Sequence, residues 1–367
     1  MDVKQYHRAK LRCLLAEMTV YGLSLLLLLH GGLSLFFEKL ALRFAGTRGF
    51  QLPVYMACVY LYLAFCLLPF RFYSSYLLEK RANLSNEKRL GWMREEFKRH
   101  LLSCVFFIGT VEAWFFLVRR FPDAWWVAAG TGWFLLCLFL TRILPVWIMP
   151  LFYPLRILRD EGLRGRILEL CRRLRLKGMD VYEWGLSKRT KKANALLAGW
   201  GRTRRILLSD TLLSGYDKPE IEMVVAHELA HHLKRHIVWS LAFQGVFVFG
   251  GLGLLHRFEK TIASWAGAER LTDLSVFPLL LFLAFLAGIA YGPLQNAFSR
   301  RHENQADRFA LRLLPSKEVF ISLMRKLARQ NYADPDPHPL VEFFLYDHPS
   351  VSKRIQTARL DNSGNGV

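Results

Sequence analysis

The chain has 367 residues, 53% of them hydrophobic, with a mean hydropathy of +0.18 and a formal charge of +20. This composition is too apolar for an ordinary soluble globule and too charged for a minimal membrane bundle. It therefore predicts a multi-span membrane protein with a sizeable polar domain. Because the basic residues lie mainly beside apolar segments, they favour attraction to a lipid bilayer, and no nucleic-acid partner is expected.

Six segments are apolar enough and long enough to cross a bilayer, which requires about 20 residues each. In chain order these predicted spans are approximately Met18–Phe37, Pro53–Phe72, Leu101–Val118, Ala124–Ile148, Ile237–Leu255 and Ser275–Phe298. The sequence thus predicts a mainly α-helical, multi-pass transmembrane bundle of about six spans.

Lysine and arginine cluster before the first span and in the loop 73–100, and positive loops usually face the cytosol. An inside N-terminus followed by six spans places both large polar regions at the cytosolic face. We therefore divide the chain into these parts: four spans with the loop 73–100 in residues 1–150, a cytosolic region 151–236, two spans in 237–298, a cytosolic region 299–360 and a flexible tail 361–367.

The cytosolic regions are expected to form an α+β domain with a small β-sheet. An amphipathic helix is predicted at Glu161–Lys177, and Asp217 caps a helix further along. Short strands are predicted at Asp180–Trp184, Ala193–Trp200 and Arg205–Leu208. After the last span, helices are predicted at Arg300–Leu313 and Ser316–Gln330 and from His348 to about Leu360.

The chemically informative stretch is His227-Glu228-Leu229-Ala230-His231. Residues four apart share one face of a helix, so His227 and His231 can bind the same metal ion. Glu228 lies close enough to act on a water bound to that metal. A catalytic zinc needs a third protein ligand, and no histidine follows at the short metzincin spacing. A downstream carboxylate is therefore favoured.

Glu303 supplies such a carboxylate, on a helix that leaves the sixth span at the expected depth of His227. Asp307 lies one helical turn further along on the same face. There it could accept a hydrogen bond from a ligand histidine and so fix the tautomer of that ring. We expect one Zn²⁺ per chain.

The pattern His227-Glu228-x-x-His231, followed by Asn296-x-x-Ser299-Arg300-x-x-Glu303-x-x-Ala306-Asp307, resembles the type 1 CAAX prenyl protease family. Members of this family are integral-membrane zinc metalloendopeptidases of the gluzincin type. The similarity covers most of the chain in order. It also includes Leu68–Tyr73 with Leu78–Lys80, Pro150–Phe152, Asn194–Ala195 with Arg205–Leu213, and His348–Ser350 with Arg354–Ile355.

The resemblance implies that His227, His231 and Glu303 hold the zinc. It also implies that the membrane helices form a barrel around a large water-filled chamber, with the zinc at its cytosolic end. Eukaryotic members have seven spans, whereas six are predicted here, and the N-terminal helix is the one that is missing. Glu112 and Arg142 lie within predicted spans, where charge is costly in lipid, so we expect both to line the chamber.

The resemblance further implies that Glu228 is the general base and then the proton donor. Asn194 and Ala195 are expected on an edge strand that pairs with the substrate backbone. His348 is a candidate for stabilising the tetrahedral oxyanion, and Arg354 is expected near the substrate.

The expected function is hydrolysis of peptide bonds near the C-terminus of CAAX-type peptides, prenylated ones included, by a membrane-embedded zinc endopeptidase. A broader quality-control protease for membrane proteins would share every zinc residue. A non-enzymatic, metal-dependent membrane scaffold would have no need of Glu228. The expected partners are a peptide or protein substrate and the bilayer. Both termini and the active site are expected in the cytosol, at the cell membrane of a bacterium or the endoplasmic reticulum of a eukaryote.

Overall fold

The computed structural model describes residues 1–44, 48–143, 147, 149–199 and 204–360, except for the side chains at 48, 49, 142, 151 and 152. The first seven α-helices are α1 (Val3–His30), α2 (Leu33–Phe44), α3 (Arg48–Arg71), α4 (Leu78–Arg81), α5 (Arg89–Arg120), α6 (Trp125–Ile143) and α7 (Met149–Phe152). The next five are α8 (Glu161–Arg173), α9 (Asp210–Gly215), α10 (Lys218–Leu233), α11 (His236–Arg257) and α12 (Glu259–Trp265). The last four are α13 (Phe277–Leu313), α14 (Lys317–Asn331), α15 (Pro339–Leu345) and α16 (Val351–Leu360). The strands are β1 (Leu155–Ile157), β2 (Asp180–Trp184), β3 (Ala195–Ala198) and β4 (Arg205–Ser209).

Within the described residues, five helical segments are long and apolar enough to cross a membrane. They are Val3–His30, Phe50–Arg81, Arg89–Arg120, His236–Arg257 and Leu274–Leu313. The apolar helix Trp125–Thr141 is shorter. These six helices correspond in order to the six predicted spans, and the helical bundle with a small mixed sheet agrees with the predicted fold class.

The first span differs in its bounds from the predicted Met18–Phe37. A capping box between Asp2 and Gln5 starts α1 near the N-terminus, and α1 ends at His30. Gly32 then adopts a φ of +72°, and α2 begins after it. Glycine enters this region without steric cost, so it can break the helix inside an apolar stretch. Hydropathy does not detect the break because the residues on both sides are apolar.

The four strands form one sheet in the order β1-β2-β4-β3. β2 and β4 are parallel, and the other two pairs are antiparallel. The interior strand β4 is anchored by three fully buried residues, Ile206, Leu207 and Leu208. The predicted strands correspond to β2, β3 and β4, while β1 was not predicted. β3 lies at an edge of the sheet. Gly201-Arg202, which separate the last two predicted strands, lie outside the described residues.

Helix α8 packs against the protein interior through Leu163, Ile167 and Leu170, which are all buried. They join one apolar core with residues of β2, β4, α10 and α14. The apolar face of this segment therefore packs within the polar domain and not on the membrane surface. This core gives α10 a rigid support on its apolar side.

Two junctions connect the polar domain to the membrane helices. Helix α10 ends at Leu233, Arg235 adopts a left-handed φ of 54°, and α11 starts at the next residue. In contrast, α13 is continuous over 37 residues, so the predicted Arg300–Leu313 helix is the C-terminal end of the sixth span. Glu112 is half-buried, and its Oε1 has no hydrogen-bond partner among the described residues. The Arg142 side chain and the tail 361–367 lie outside the described part.

Candidate active site

Helix α10 carries the first three candidate residues and is firmly anchored. Asp217 and Glu220 form a capping box at its N-terminus, with a proline in the first turn. Such caps pair backbone N–H groups that would otherwise lack partners. On the core side, Val225, Ala226 and Leu229 are fully buried. His227, Glu228 and His231 are partly exposed on the remaining surface of the helix.

Helix α13 packs directly against α10 and brings in the carboxylates. Ala226 and Ala230 on α10, and Ala306 and Ala310 on α13, are fully buried. Small side chains at such positions let two helices approach closely. The close packing explains how residues 80 positions apart in sequence meet: His227 Nδ1 lies 2.9 Å from Asp307 Oδ1.

Three side chains converge on one point. His227 Nε2 and His231 Nε2 are 3.1 Å apart, and each lies 3.2 Å from an oxygen of Glu303. Glu303 is 5% exposed, and its Oε2 has no hydrogen-bond partner among the described residues. Zinc bound at about 2.0–2.2 Å to tetrahedral ligands separates those ligands by about 3.3 Å. The spacing of the three donors therefore fits a small divalent cation.

Electrostatics also favours positive charge at this point. Burial disfavours the charged imidazolium of His227, but the adjacent carboxylates of Asp307 and Glu303 outweigh burial and raise the pKa to about 10. When His227 Nδ1–H donates to Asp307, the lone pair of Nε2 faces Glu303. A lone pair and a carboxylate that face each other repel unless a proton or a cation lies between them.

Asp307 is almost completely buried and receives Arg354 as well as His227. Arg354 Nε donates to Asp307 Oδ2 at 2.7 Å, and Nη2 donates to Oδ1 at 2.6 Å. Bidentate pairs of this kind are strong and directional. Although burial disfavours the charge of Arg354, Asp307 raises the pKa of the guanidinium. The guanidinium is thus bound to Asp307, whereas the sequence predicts Arg354 near the substrate.

Glu228 faces the site beside the two histidines. Burial raises the pKa of its carboxyl group, and the nearby Glu303 adds to the increase, whereas the histidines and a backbone hydrogen bond from Leu197 lower it. Leu197 belongs to the edge strand β3. Glu228 therefore lies between the histidine pair and the edge of the sheet.

The edge strand β3 borders the site. The backbone N–H of Ser209 donates to the carbonyl of Asn194 at 3.0 Å, and β3 pairs only with β4 among the described strands. Backbone groups alternate in direction along an antiparallel strand. Since the backbone carbonyl of Asn194 faces β4, the backbone N–H groups of Ala195 and Leu197 point to the free edge of the sheet. Asn194 is exposed.

A cavity of about 1070 Å³ extends along this edge to the membrane helices. Its lining includes β3, the faces of α10 and α13 that carry the histidines and Glu303, and the start of α11. A second, smaller cavity of about 150 Å³ also reaches Glu228. Its lining is mainly apolar and includes Met223, Phe320 and Leu323. An extended peptide could therefore lie along β3 within reach of Glu228.

His348 approaches the site from the loop before α16. Its Nε2 lies 3.3 Å from Glu303 Oε2, and its Nδ1 lies 2.8 Å from Asp347 Oδ1. Burial lowers its pKa, but Asp347 and Glu303 together raise it above the usual value. Buried Glu342 secures the loop by accepting a hydrogen bond from the backbone N–H of Ser350 at 3.2 Å.

The resemblance motif also contains residues that position this loop. Arg300 Nη1 donates to the carbonyls of Glu342 at 3.0 Å and Tyr346 at 2.6 Å. Asn296 Nδ2 donates to the carbonyl of Phe344 at 2.8 Å. These bonds satisfy carbonyls at the end of α15, a helix that the sequence did not predict. Asn296 and Arg300 thus hold the segment that leads to His348.

Two further residues near the metal ligands, His236 and Gln305, are not among the predicted site residues. His236 is 4% exposed and contacts His231, and Gln305 contacts His236 in turn. On a continuous helix, five positions separate side chains by about 140°. A continuous helix would therefore turn His236 away from the face that carries His231. The left-handed Arg235 breaks the helix and returns the ring of His236 to the site, and no spacing rule reveals such a break.

Comparisons with known proteins agree with this arrangement. Peptidase family M48 matches residues 158–361, and the CAAX prenyl protease N-terminal family, described as five membrane helices, matches residues 2–154. An uncharacterized metalloprotease of Bacillus subtilis, YhfN, is 28% identical over 285 residues, which are 77% of this chain and 67% of YhfN. A CAAX prenyl protease 1 homolog of Arabidopsis thaliana is 28% identical over 79% of this chain and 69% of its own length.

Among solved structures, S. mikatae Ste24p has a TM-score of 0.83 and 23% identity, with 97% of this chain and 87% of that chain covered. The fold is therefore shared along nearly the whole length. The chain belongs to peptidase family M48, as an integral-membrane metalloendopeptidase of the CAAX prenyl protease group.

Proposed function

We propose that this protein is a zinc endopeptidase that cleaves peptide bonds near the C-terminus of CAAX-type peptides. The convergence of His227, His231 and Glu303 beside Glu228 and a free sheet edge carries the proposal. The names of several relatives, CAAX prenyl protease 1 and its homologs, support the substrate class.

Zinc is the proposed metal because two imidazoles and one carboxylate are a known catalytic zinc ligand set that leaves a position open. His227, His231 and Glu303 would hold it. When bound, zinc would act as a Lewis acid toward a carbonyl oxygen and lower the pKa of a water molecule. Asp307, backed by Arg354, would fix His227 with its proton on Nδ1 so that Nε2 is free to bind.

Glu228 would serve as the general base and then as the acid. It accepts a proton from the attacking water and returns that proton to the nitrogen of the leaving amine. A raised pKa makes Glu228 a stronger base toward the water, and its protonated form is still acidic enough to protonate the leaving amine. The hydrogen bond from the backbone of Leu197 would orient the carboxylate.

The substrate backbone would add to β3 as a further strand. The outward N–H of Ala195 and the exposed side chain of Asn194 would align it, with the scissile bond beside Glu228. His348, held through Nδ1 by Asp347, would direct its Nε2–H toward the oxyanion that develops on the carbonyl oxygen. The basic loops would put this site, and both termini, on the cytosolic side.

The test uses the full-length protein in lipid nanodiscs with a farnesylated CAAX peptide and an unfolded membrane protein as parallel substrates. We expect cleavage of the CAAX peptide, its loss with a chelator and its recovery with Zn²⁺. Glu228→Gln should retain one zinc per chain yet lose cleavage by about 10²–10⁴-fold, the usual contribution of a general base.

Glu222→Gln is the matched control, because Glu222 lies on the same helix and pairs with Arg166 away from the metal ligands. It should cleave as the unaltered protein does. Preferential cleavage of the unfolded membrane protein would assign a quality-control role in place of CAAX processing. Cleavage that persists in Glu228→Gln would overturn the assignment of the base.

A further inference from the structure

A second chain of contacts extends from the site, starting from His231. His231 Nδ1 lies 2.9 Å from His236 Nδ1, and His236 Nε2 lies 3.1 Å from Gln305 Oε1. These contacts connect the end of α10, the first residue of α11 and the cytosolic part of α13. They lie on the side of His231 opposite to its Nε2, which faces His227 and Glu303.

With Oε1 of Gln305 facing a neutral His236 ring, the three groups take one proton arrangement. A carbonyl oxygen only accepts, so Gln305 Oε1 requires the proton of His236 to be on Nε2. In a neutral His236 ring, Nδ1 is then an acceptor, and the proton in the contact with His231 must come from His231 Nδ1. His231 is left with a free lone pair on Nε2, the nitrogen that faces Glu303. The relay therefore selects the tautomer of His231 that can bind a metal.

The packing around His236 holds its ring in place. His302 stacks on it with the ring centroids 4.2 Å apart and the planes inclined by 4°. Phe298 contacts the edge of His302, with centroids 4.5 Å apart. The left-handed conformation of Arg235 directs the start of α11 toward this stack. A ring clamped in this way can orient its neighbour at little further cost in conformational entropy.

We propose that His236, held by Gln305, is a positioning residue for His231. This inference rests on the proposed metal site. The two histidines would then be oriented by different means: a carboxylate paired with Arg354 serves His227, and a neutral imidazole–amide relay serves His231. The neutral relay orients the ring without adding a second negative charge beside Glu303.

The test measures metal binding and not only activity. His236→Phe keeps a ring against His302 but cannot accept from His231 Nδ1. We expect zinc affinity, measured by competition with a chelating dye, to fall about 10–100-fold, as is usual when such supporting bonds are lost. The visible spectrum of the Co²⁺-loaded protein should change as well, because that spectrum reports ligand geometry.

Conservative variants separate positioning from packing. His236→Asn presents an amide oxygen near the place of Nδ1 and should recover most of the affinity. Gln305→Glu keeps an acceptor toward His236 and should bind zinc well, whereas Gln305→Leu should weaken binding. His232→Gln is the control, since His232 contacts Arg204 at 3.2 Å, and its metal affinity and Co²⁺ spectrum should not change.

Equal zinc affinity and an unchanged Co²⁺ spectrum in His236→Phe would overturn the positioning role. The same holds if Gln305→Glu loses zinc while Gln305→Leu keeps it, because the proton arrangement would then be reversed. If the unaltered protein itself binds no zinc, the proposed function fails instead. Circular dichroism of each variant separates a local effect from unfolding, and the Gln305 pair keeps the test decisive if His236→Phe does not fold.

Discussion

Replacing Asp307 by asparagine tests the most deeply buried charge of the candidate site. Asp307 is 1% exposed and accepts two hydrogen bonds from Arg354 and one from His227. Asparagine has nearly the same volume, so no cavity forms, but the guanidinium loses its counter-charge. Removing one partner of a buried ion pair costs about 3–5 kcal/mol. We expect a loss of this size in the free energy of unfolding.

A double-mutant cycle isolates the ion pair. Arg354→Met removes the positive charge, and the double variant with Asp307→Asn removes both charges together. The double variant should be more stable than the sum of the single losses implies, with a coupling of about 2–3 kcal/mol. The cycle is run with a chelator so that metal binding does not contribute.

The assay can use the buried thiol of Cys171, which is 2% exposed and lies in the core of the polar domain. In a variant whose other five cysteines are replaced, a thiol-reactive dye reports the temperature at which this core opens. A loss of 3–5 kcal/mol corresponds to about 6–20 °C. A shift equivalent to less than about 1 kcal/mol, or strictly additive variants, would refute the reasoning.

Three other predictions follow from the structure. Exhaustive chelation should remove cleavage and lower the unfolding temperature, and one equivalent of Zn²⁺ should restore both; restoration without bound metal would contradict the site. Ala195→Pro removes an N–H at the free edge of β3, so KM should rise about tenfold or more with little loss of stability. Leu196→Pro removes an N–H that is turned toward β4, so this variant should destabilise the fold. Glu79→Gln weakens the ion pair with Lys192 at 2.9 Å and should lower stability by about 1–3 kcal/mol, measured by the same dye assay; unchanged stability would show that the pair contributes nothing.

The sequence predicted the parts of this protein that depend on local pattern. Six apolar stretches became six helices in order, and β2 has the bounds that were expected. The spacing of His227 and His231 and the position of Glu303 after the last span were enough to expect a common site. These features follow from hydropathy and helical periodicity, which tertiary contacts rarely override when the pattern is long.

Other features depend on single backbone angles and long-range contacts. The turn at Gly32 and the break at Arg235 each change the direction of the chain within a stretch that periodicity treats as continuous. The ion pair between Asp307 and Arg354 joins two helices through residues that are 47 positions apart in sequence. Neither kind of feature leaves a periodic trace, so the positions of His236 and of the Arg354 guanidinium could not be inferred from spacing.

The continuity of α13 ties the chemistry to the thickness of the membrane. Glu303 lies 26 positions after Phe277, the first residue of the helix, which is about 39 Å at 1.5 Å per residue. The hydrocarbon core is about 30 Å thick, so the length of α13 sets the distance between the lipid and the site of peptide hydrolysis. One inserted residue would turn Glu303 and Asp307 by about 100° away from the histidines. The membrane part and the hydrolytic part therefore cannot be exchanged as separate modules, and the length of the span is itself a condition of activity.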